Sequence, residues 1–456
     1  MNRPIFFVAA FLLSSMLYGQ ENVQEDRMPD SFFRAVGINV LSNTLLHLAD
    51  RYISQDGWAQ VTPASIRENL TVPWQWDGDQ YFINQFGHPY QGSIYHAAAR
   101  SNGFLFYEAM LFDTFGSVYW ELFCETNTPS INDLISTTLG GAALGEMFHR
   151  LYLEIANPLG LLVSPADALN NMITRRRPQR TNNIYSLRLA FGIGYTYAGQ
   201  AIEQDNTEEL LNLNIRHIVS TDIACTVIYG NPFVQQSKRP YEHFEIMLYA
   251  HLGYPFWYNL KLLSDAYLFS FSVFDRENKQ ASTGLSLHYD LFADRQIDFF
   301  SQALDWTYKY KKHFRGGTEM EFKGHIGWTV FNADTFYVHN EYSGLRKADN
   351  NYGTGANMKL IFSAQNQHRK GNGGGEGGIF EIKVYVYEVF NVFKNENSDS
   401  GRDFFMFINA DYSFPIGKQV SIGVSASLLW HHAYYDRIPD TQKLTNDAKL
   451  YIAWKR

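Results

Sequence analysis

The stretch Tyr185-Ser-Leu187-Arg-Leu189-Ala-Phe191-Gly-Ile193-Gly-Tyr195-Thr-Tyr197 decides the fold. Every odd position is aromatic or aliphatic, while Ser186, Arg188, Ala190, Gly192, Gly194 and Thr196 fill the other face. A period of two with one apolar face is a β-strand. The alternation returns in Met320, Phe322, Ile326, Trp328 and Val330 against Glu319, Glu321, Lys323, His325 and Thr329. It returns again in Val420, Ile422, Val424, Ala426, Leu428 and Trp430 against Ser421, Gly423, Ser425 and Ser427. Further strands are expected at about 210–219, 243–254, 265–274, 283–292, 355–363, 379–392, 403–414 and 448–455, with polar loops between them, the glycine-rich stretch around Gly373 among these. Strands of roughly 9 to 14 residues repeated about a dozen times are the pattern of a transmembrane barrel. A soluble sandwich or propeller would have to bury each apolar face against a second sheet. Tyr, Trp and Phe gathered near the strand ends favour the barrel, because they suit a membrane interface.

The bulk numbers agree. The chain has 456 residues, of which 18% are charged and 16% aromatic, with 29 Tyr and 35 Phe. That is apolar for a cytosolic enzyme, which averages about 25% charged, yet the mean hydropathy is only −0.27. Alternation averages out in this way. With 38 Lys and Arg against 46 Asp and Glu, the net charge of −8 gives no support to nucleic acid as a partner. No run of about 20 apolar residues follows the N-terminus, so spanning helices are not expected. The N-terminus itself, MNRPIFFVAAFLLSSMLYG, has Arg3, an apolar run from Ile5 to Leu13 and a small-residue end at Gly19. It reads as a signal peptide over residues 1–19, with a retained anchor helix as the alternative. Cys124 and Cys225 are too few for a disulfide scaffold and have no metal-binding spacing, and whether they pair is not legible.

Residues 20–180 carry helical signals. Ser31 to Ile53 runs without Pro and places Phe33, Val36, Val40, Leu41, Leu45 and Leu48 at steps of three and four, predicting an amphipathic helix. A second helical zone covers about Ser93 to Glu125, with breaks expected near Gly103 and Gly116. A third runs from Ile131 to Ile155, with Ser130 as N-cap. Its small residues, Gly140 to Gly145, predict close packing of another backbone. Arg175 to Arg180 reads as a solvated linker into the strand region, with a lipid head-group contact as the sharper alternative. The expected class is therefore an α+β membrane protein, an N-terminal helical block at 20–180 followed by an antiparallel transmembrane β-barrel of about 12 strands at 181–456.

Trp74-Gln-Trp76-Asp77-Gly-Asp79 and Asn84-Gln85-Phe-Gly-His88-Pro89-Tyr90-Gln-Gly92, followed by Arg100, Gly103, Gly116, Trp120-Glu121, Asn132-Asp133 and Gly145-Glu146, are the most distinctive residues of the block. Together, over roughly residues 65–160, they resemble a bacterial family catalogued as domain of unknown function 3943. The resemblance implies an exported protein of Gram-negative-type bacteria with helices beside an outer-membrane-type β region. It brings no activity and no catalytic residues.

Read as chemistry, the block offers His88, His96, Arg100, Glu108, Glu121, Glu125, Asp133, Glu146 and His149. Glu146-Met-Phe-His149 is half of a di-iron signature with no second copy, and Glu146 with Arg150 reads as an intrahelical ion pair. Asp77-Gly-Asp79 begins like a calcium loop, but Tyr81 replaces the third oxygen ligand. No metal and no cofactor are expected. His88, held extended by Pro89, is read first as a structural histidine. The expected function is an outer-membrane barrel, structural or solute-passing, whose helices form a plug or a periplasmic-side domain. Its partners would be outer-membrane lipids and the barrel-insertion machinery, and its oligomeric state is not legible. The alternative is an outer-membrane enzyme acting on envelope lipid or glycan, with His88, Arg100 and Glu121 as the first residues to test, a reading that gains if His88, Arg100 and a carboxylate share one pocket open to lipid or periplasm.

Overall fold

The structure, a computed structural model, describes residues 31–155, 159–176, 180–204, 207–233, 236–295, 297–340, 344–367, 376–394, 399–437 and 440–456. The expected signal peptide and the glycine-rich loop at Gly373 lie outside the described residues. Two compact units divide the chain: the described residues up to Asp77 with Ile83–Asn182 form one, and Gly78–Phe82 with Asn183–Arg456 form the other.

The first unit is helical, with α1 (Ser31–Ala49), α2 (Pro63–Asn69), α3 (His88–Arg100), α4 (Phe106–Phe123), α5 (Ile131–Ile135), α6 (Gly141–Glu154), α7 (Leu159–Val163) and α8 (Pro165–Thr174). Ser130 caps α5 as its spacing predicts, its hydroxyl accepting from the Asp133 amide at 3.2 Å. The close approach expected at the small residues occurs between α3 and α6. A Cβ on Gly92 would lie 2.9 Å from the Gly141 Cα, and a Cβ on Gly141 would lie 2.7 Å from Gly92. The second helical zone breaks after Arg100, near Gly103, but runs unbroken through Gly116, where the missing side chain makes room for the Tyr95 ring.

The apolar stripe of α1 does not face inward. Its buried residues are Ser31, Ala35, Ile38, Asn39 and Asn43, while Phe33 is 71% exposed and Leu45 58%. The reason lies in what α4 presents. Asn39 and Asn43 donate to the carbonyls of Phe112 at 2.9 Å and Gly116 at 3.1 Å, so the contact is cemented by amides. The interior of this unit mixes apolar side chains with polar ones, and Asn84, Gln85, His96, Asp113, Glu121, Asn132, Asp133 and Glu146 are all buried. Among the described residues no helix is long and apolar enough to cross a membrane.

The second unit is a closed antiparallel barrel of twelve strands. These are β1 (Ile184–Gln204), β2 (Thr207–Tyr229), β3 (Phe244–Tyr254), β4 (Trp257–Arg276), β5 (Lys279–Asp294), β6 (Asp298–His313), β7 (Thr318–Asn340), β8 (Gly344–Gln367), β9 (Glu376–Phe393), β10 (Gly401–Pro415), β11 (Val420–Tyr435) and β12 (Thr441–Lys455). Each pairs with the next, and β1 closes on β12 with Leu189 opposite Trp454 and Thr196 opposite Asp447. Closure leaves no unpaired strand edge, which a hydrocarbon environment requires. The predicted register holds: Ile193, Ile326 and Val424 point outward at 63%, 64% and 53% exposure, while Thr196, Lys323 and Ser425 are buried in the lumen. Gly78–Phe82 is counted with this unit, the Tyr81 hydroxyl donating to the Phe292 carbonyl at 3.0 Å. Cys124 and Cys225 are both free thiols.

Candidate functional site

His88 begins α3 and is buried against Asp133 of α5, with its Nε2 3.6 Å from the Asp133 carboxylate. Ligand atoms of His88, Glu121 and Asp133 lie within 4.8 Å of one another. Asp77 holds the group together from below, accepting from the amides of Asn132 at 2.8 Å and Asn84 at 3.1 Å. Glu121 accepts from the Ser130 backbone amide at 2.7 Å. Burial pushes the Asp133 carboxyl well above the usual range, and the charges of Asp77 and Glu121 add to it. Burial likewise lowers the His88 imidazole to about 4, against the pull of Asp77. Burial thus disfavours a charge on either group. One imidazole nitrogen and two carboxylates are also the residues here that could hold a metal ion, a donor set suited to zinc, manganese or iron.

Arg100 belongs to a different cluster. Its Nε donates to Glu146 at 2.7 Å, Arg150 donates to the same carboxylate at 2.9 Å, and His96 Nε2 lies 3.3 Å from it. His96 Nδ1 meets Asp113 at 2.8 Å. Burial disfavours a charge on His96, but Asp113 and Glu146 outweigh it and hold the imidazole at about 9. Burial would raise Glu146, and Arg100 and Arg150 instead hold it well below the carboxylate range. Asp113, buried with only His96 to offset the cost, is pushed up to about 7. The expected Glu146–Arg150 pair is thus present within a larger network, and His149 turns away to Asp167 at 2.8 Å. Of the three residues the enzyme reading names, the structure brings His88 and Glu121 together and engages Arg100 elsewhere.

The barrel lumen holds a second set of polar groups. Lys309 on β6 reaches Glu245 on β3 at 3.0 Å and Asp265 on β4 at 2.9 Å, and lies 2.7 Å from His243. Lys323 on β7 donates to Glu245 at 2.6 Å. Lys359 on β8 pairs with Asp290 on β5, which also accepts from Tyr387 on β9 at 2.9 Å. These bonds cross the lumen between strands several places apart in the wall. The sequence shows the charges on the inward face, but not which of them meet.

Aromatic rings close the lumen beside these pairs. Phe299 on β6 stacks on Phe405 on β10, with centroids 4.1 Å apart and planes 4° from parallel. Phe292 on β5 packs against Phe405 at 4.8 Å, and Tyr387 against Phe299 at 5.0 Å. Phe292, Phe299, Tyr387, Val389, Phe405, Phe407 and Leu429 form one buried cluster joining opposite walls. A twelve-stranded barrel is wider than the eight-stranded kind whose side chains simply fill it, and here large rings span the gap. The sequence reading missed this constriction. Its signal is that in β9 and β10 both faces are apolar, as in Tyr385-Val-Tyr387 and Phe404-Phe405-Met-Phe407. Next to the constriction, and sharing Phe407 with it, lies a partly enclosed cavity of about 70 Å³ lined by Arg188, Tyr249, Lys261, Lys449 and Tyr451 among others.

No curated protein sequence matches the chain. Among solved structures the NanC porin is similar at 5% identity, with a TM-score of 0.25, covering 57% of this chain and 98% of that one. An outer membrane channel from Pseudomonas putida F1 is similar at 9% identity and a TM-score of 0.27, covering 60% and 96% of the two chains. A Pseudomonas aeruginosa FadL homologue gives 8% identity and a TM-score of 0.25, over 59% and 90%. The helical unit, with its Trp74-to-Gly92 motif and its buried His88, Glu121 and Asp133, matches over residues 73–166 the family described as Domain of unknown function (DUF3943).

Proposed function

We propose that the chain is a solute-passing barrel of the bacterial outer membrane, exported by residues 1–19 and placed in the membrane by the barrel-insertion machinery, with its lumen held shut by the aromatic constriction. The carrying observation is the two-faced wall: apolar side chains such as Ile193, Ile326 and Val424 outside, and Lys309, Lys323, Lys359, Glu245 and Asp290 inside. Charges facing a lumen are costly to bury in a dry core. They are what a hydrated path needs. The enzyme reading loses support because Arg100 is engaged by Glu146 and Phe104 while His88 and Glu121 sit with Asp133.

The test is direct. Purified protein in a planar lipid bilayer should show little current, and a variant with the constriction removed should show discrete conductance steps. The same preparation should run faster on a gel unheated than boiled, since a closed barrel resists detergent. Recovery as a detergent-free soluble monomer would overturn the membrane reading.

A further inference from the structure

Two ammonium groups, those of Lys261 and Lys449, face the cavity beside Phe407. Lys261 is only 3% exposed, yet among the described residues its ammonium makes no hydrogen bond. Its ion pair with Asp447 is long, at 3.8 Å. Asp447 is already engaged by the hydroxyls of Thr196 at 2.6 Å and Ser427 at 3.0 Å. Lys449 has no ion pair and no hydrogen bond among the described residues; its ammonium lies 3.8 Å from the Tyr249 ring centre, with Lys261 at 4.6 Å from the same ring. Each ammonium carries three donors and no acceptor, so both can still donate to a ligand that enters the cavity.

The carboxylates facing the same space each have a partner on one oxygen. Asp222 accepts from Tyr249 and lies 2.9 Å from His251 Nδ1. Asp411 accepts from Tyr451 at 2.7 Å and lies 3.7 Å from Arg188. Glu381 pairs with Lys383 at 2.8 Å. A cation entering the cavity would meet one unengaged buried carboxylate oxygen, Asp222 Oδ2, whereas an oxyanion would supply oxygens to two ammonium groups that lack them. The rings of Tyr249, Tyr451 and Phe407 add an apolar flank for the body of an organic solute.

We infer that this lumen cavity is a binding site for a small solute bearing a carboxylate or a phosphate, recognised by Lys261 and Lys449. The inference deepens the solute-passing reading and rests on it for the biological meaning of the site.

The experiment is calorimetric titration of the purified full chain in detergent at low salt, with inorganic phosphate, with benzoate, and with choline as the cationic control. At least one anion should bind and choline should not; phosphate or benzoate alone binding tells which oxyanion the site takes. Lys261→Met and Lys449→Met should each weaken binding at least tenfold, and Lys449→Arg should retain it. Heat-dependent gel mobility verifies that each variant is folded. Should Lys261→Met fail to fold, the less buried Lys449→Met carries the comparison. Absence of binding by both anions, equal binding of choline, or wild-type affinity in the folded methionine variants would overturn the site. Current through a constriction variant without anion binding removes the site and leaves the channel. Anion binding without any current removes passage and leaves a binding barrel.

Discussion

Removing the Phe405 ring should open the lumen. Phe405 is completely buried and touches Phe299, Phe292 and Tyr387 at ring separations of 4.1, 4.8 and 5.7 Å. Each such aromatic pair is worth about 0.5–1.5 kcal/mol beyond its buried area, so three of them give roughly 1.5–4.5 kcal/mol. Truncation of a buried Phe to Ala costs about 3–5 kcal/mol in all, cavity included. At about 1.4 kcal/mol per factor of ten, the closed arrangement loses two to nearly four decades against an open one. The wall survives this loss, because its closure rests on the ladder between strands and on the lipid-facing side chains rather than on the lumen rings. Phe405→Ala, and more strongly Phe299→Ala with Phe405→Ala, should therefore turn a quiet bilayer into one with discrete current steps, while the unheated protein keeps its fast mobility. A folded double variant as silent as the wild type would refute the constriction as the barrier.

Three further outcomes are expected. Val424→Arg places a charge on the lipid face and should cost about 2–4 kcal/mol near the bilayer midplane, whereas Ser425→Arg points into the lumen and should cost less; equal losses in urea unfolding from lipid vesicles would contradict the register. Glu146→Ala strands Arg100, Arg150 and His96 around a missing charge and should destabilise the helical unit by about 3–5 kcal/mol, read as a lower helical melting midpoint by circular dichroism. Because the folded His96 is held at about 9, above its ordinary value of about 6.5, its contribution is complete below about pH 6.5 and is lost as the pH rises through about 9. Asp113, raised to about 7 from about 4, acts in the same direction at lower pH. The helical midpoint should fall between pH 7 and 10, and His96→Gln should flatten that slope; an unchanged slope would show that His96 does not set it.

The strand alternation by itself determined the barrel. With a period of two, one face of Tyr185 to Tyr197 is apolar and the other is not, and repeated about a dozen times, with aromatic residues near the strand ends, this favours a wall between lipid and water over a soluble sandwich. Local signals such as the Ser130 cap, the Glu146–Arg150 step and the small residues at Gly140 to Gly145 were legible for the same reason, since each depends on neighbours within a turn or two. Tertiary structure decided the rest. The inward face of α1 is set by Asn39 and Asn43 meeting carbonyls of a helix some seventy residues away, so a stripe of Phe and Leu gave the wrong face. Arg100 and His88 are twelve residues apart on one motif, yet their partners, Glu146 and Asp133, lie on later helices and draw them into separate clusters. The Phe299–Phe405 stack and the Lys309 and Lys359 bridges join strands that never pair in the sheet. Sequence periodicity fixes which way a side chain points from the wall, but what it meets across the lumen depends on how many strands close the barrel and at what register.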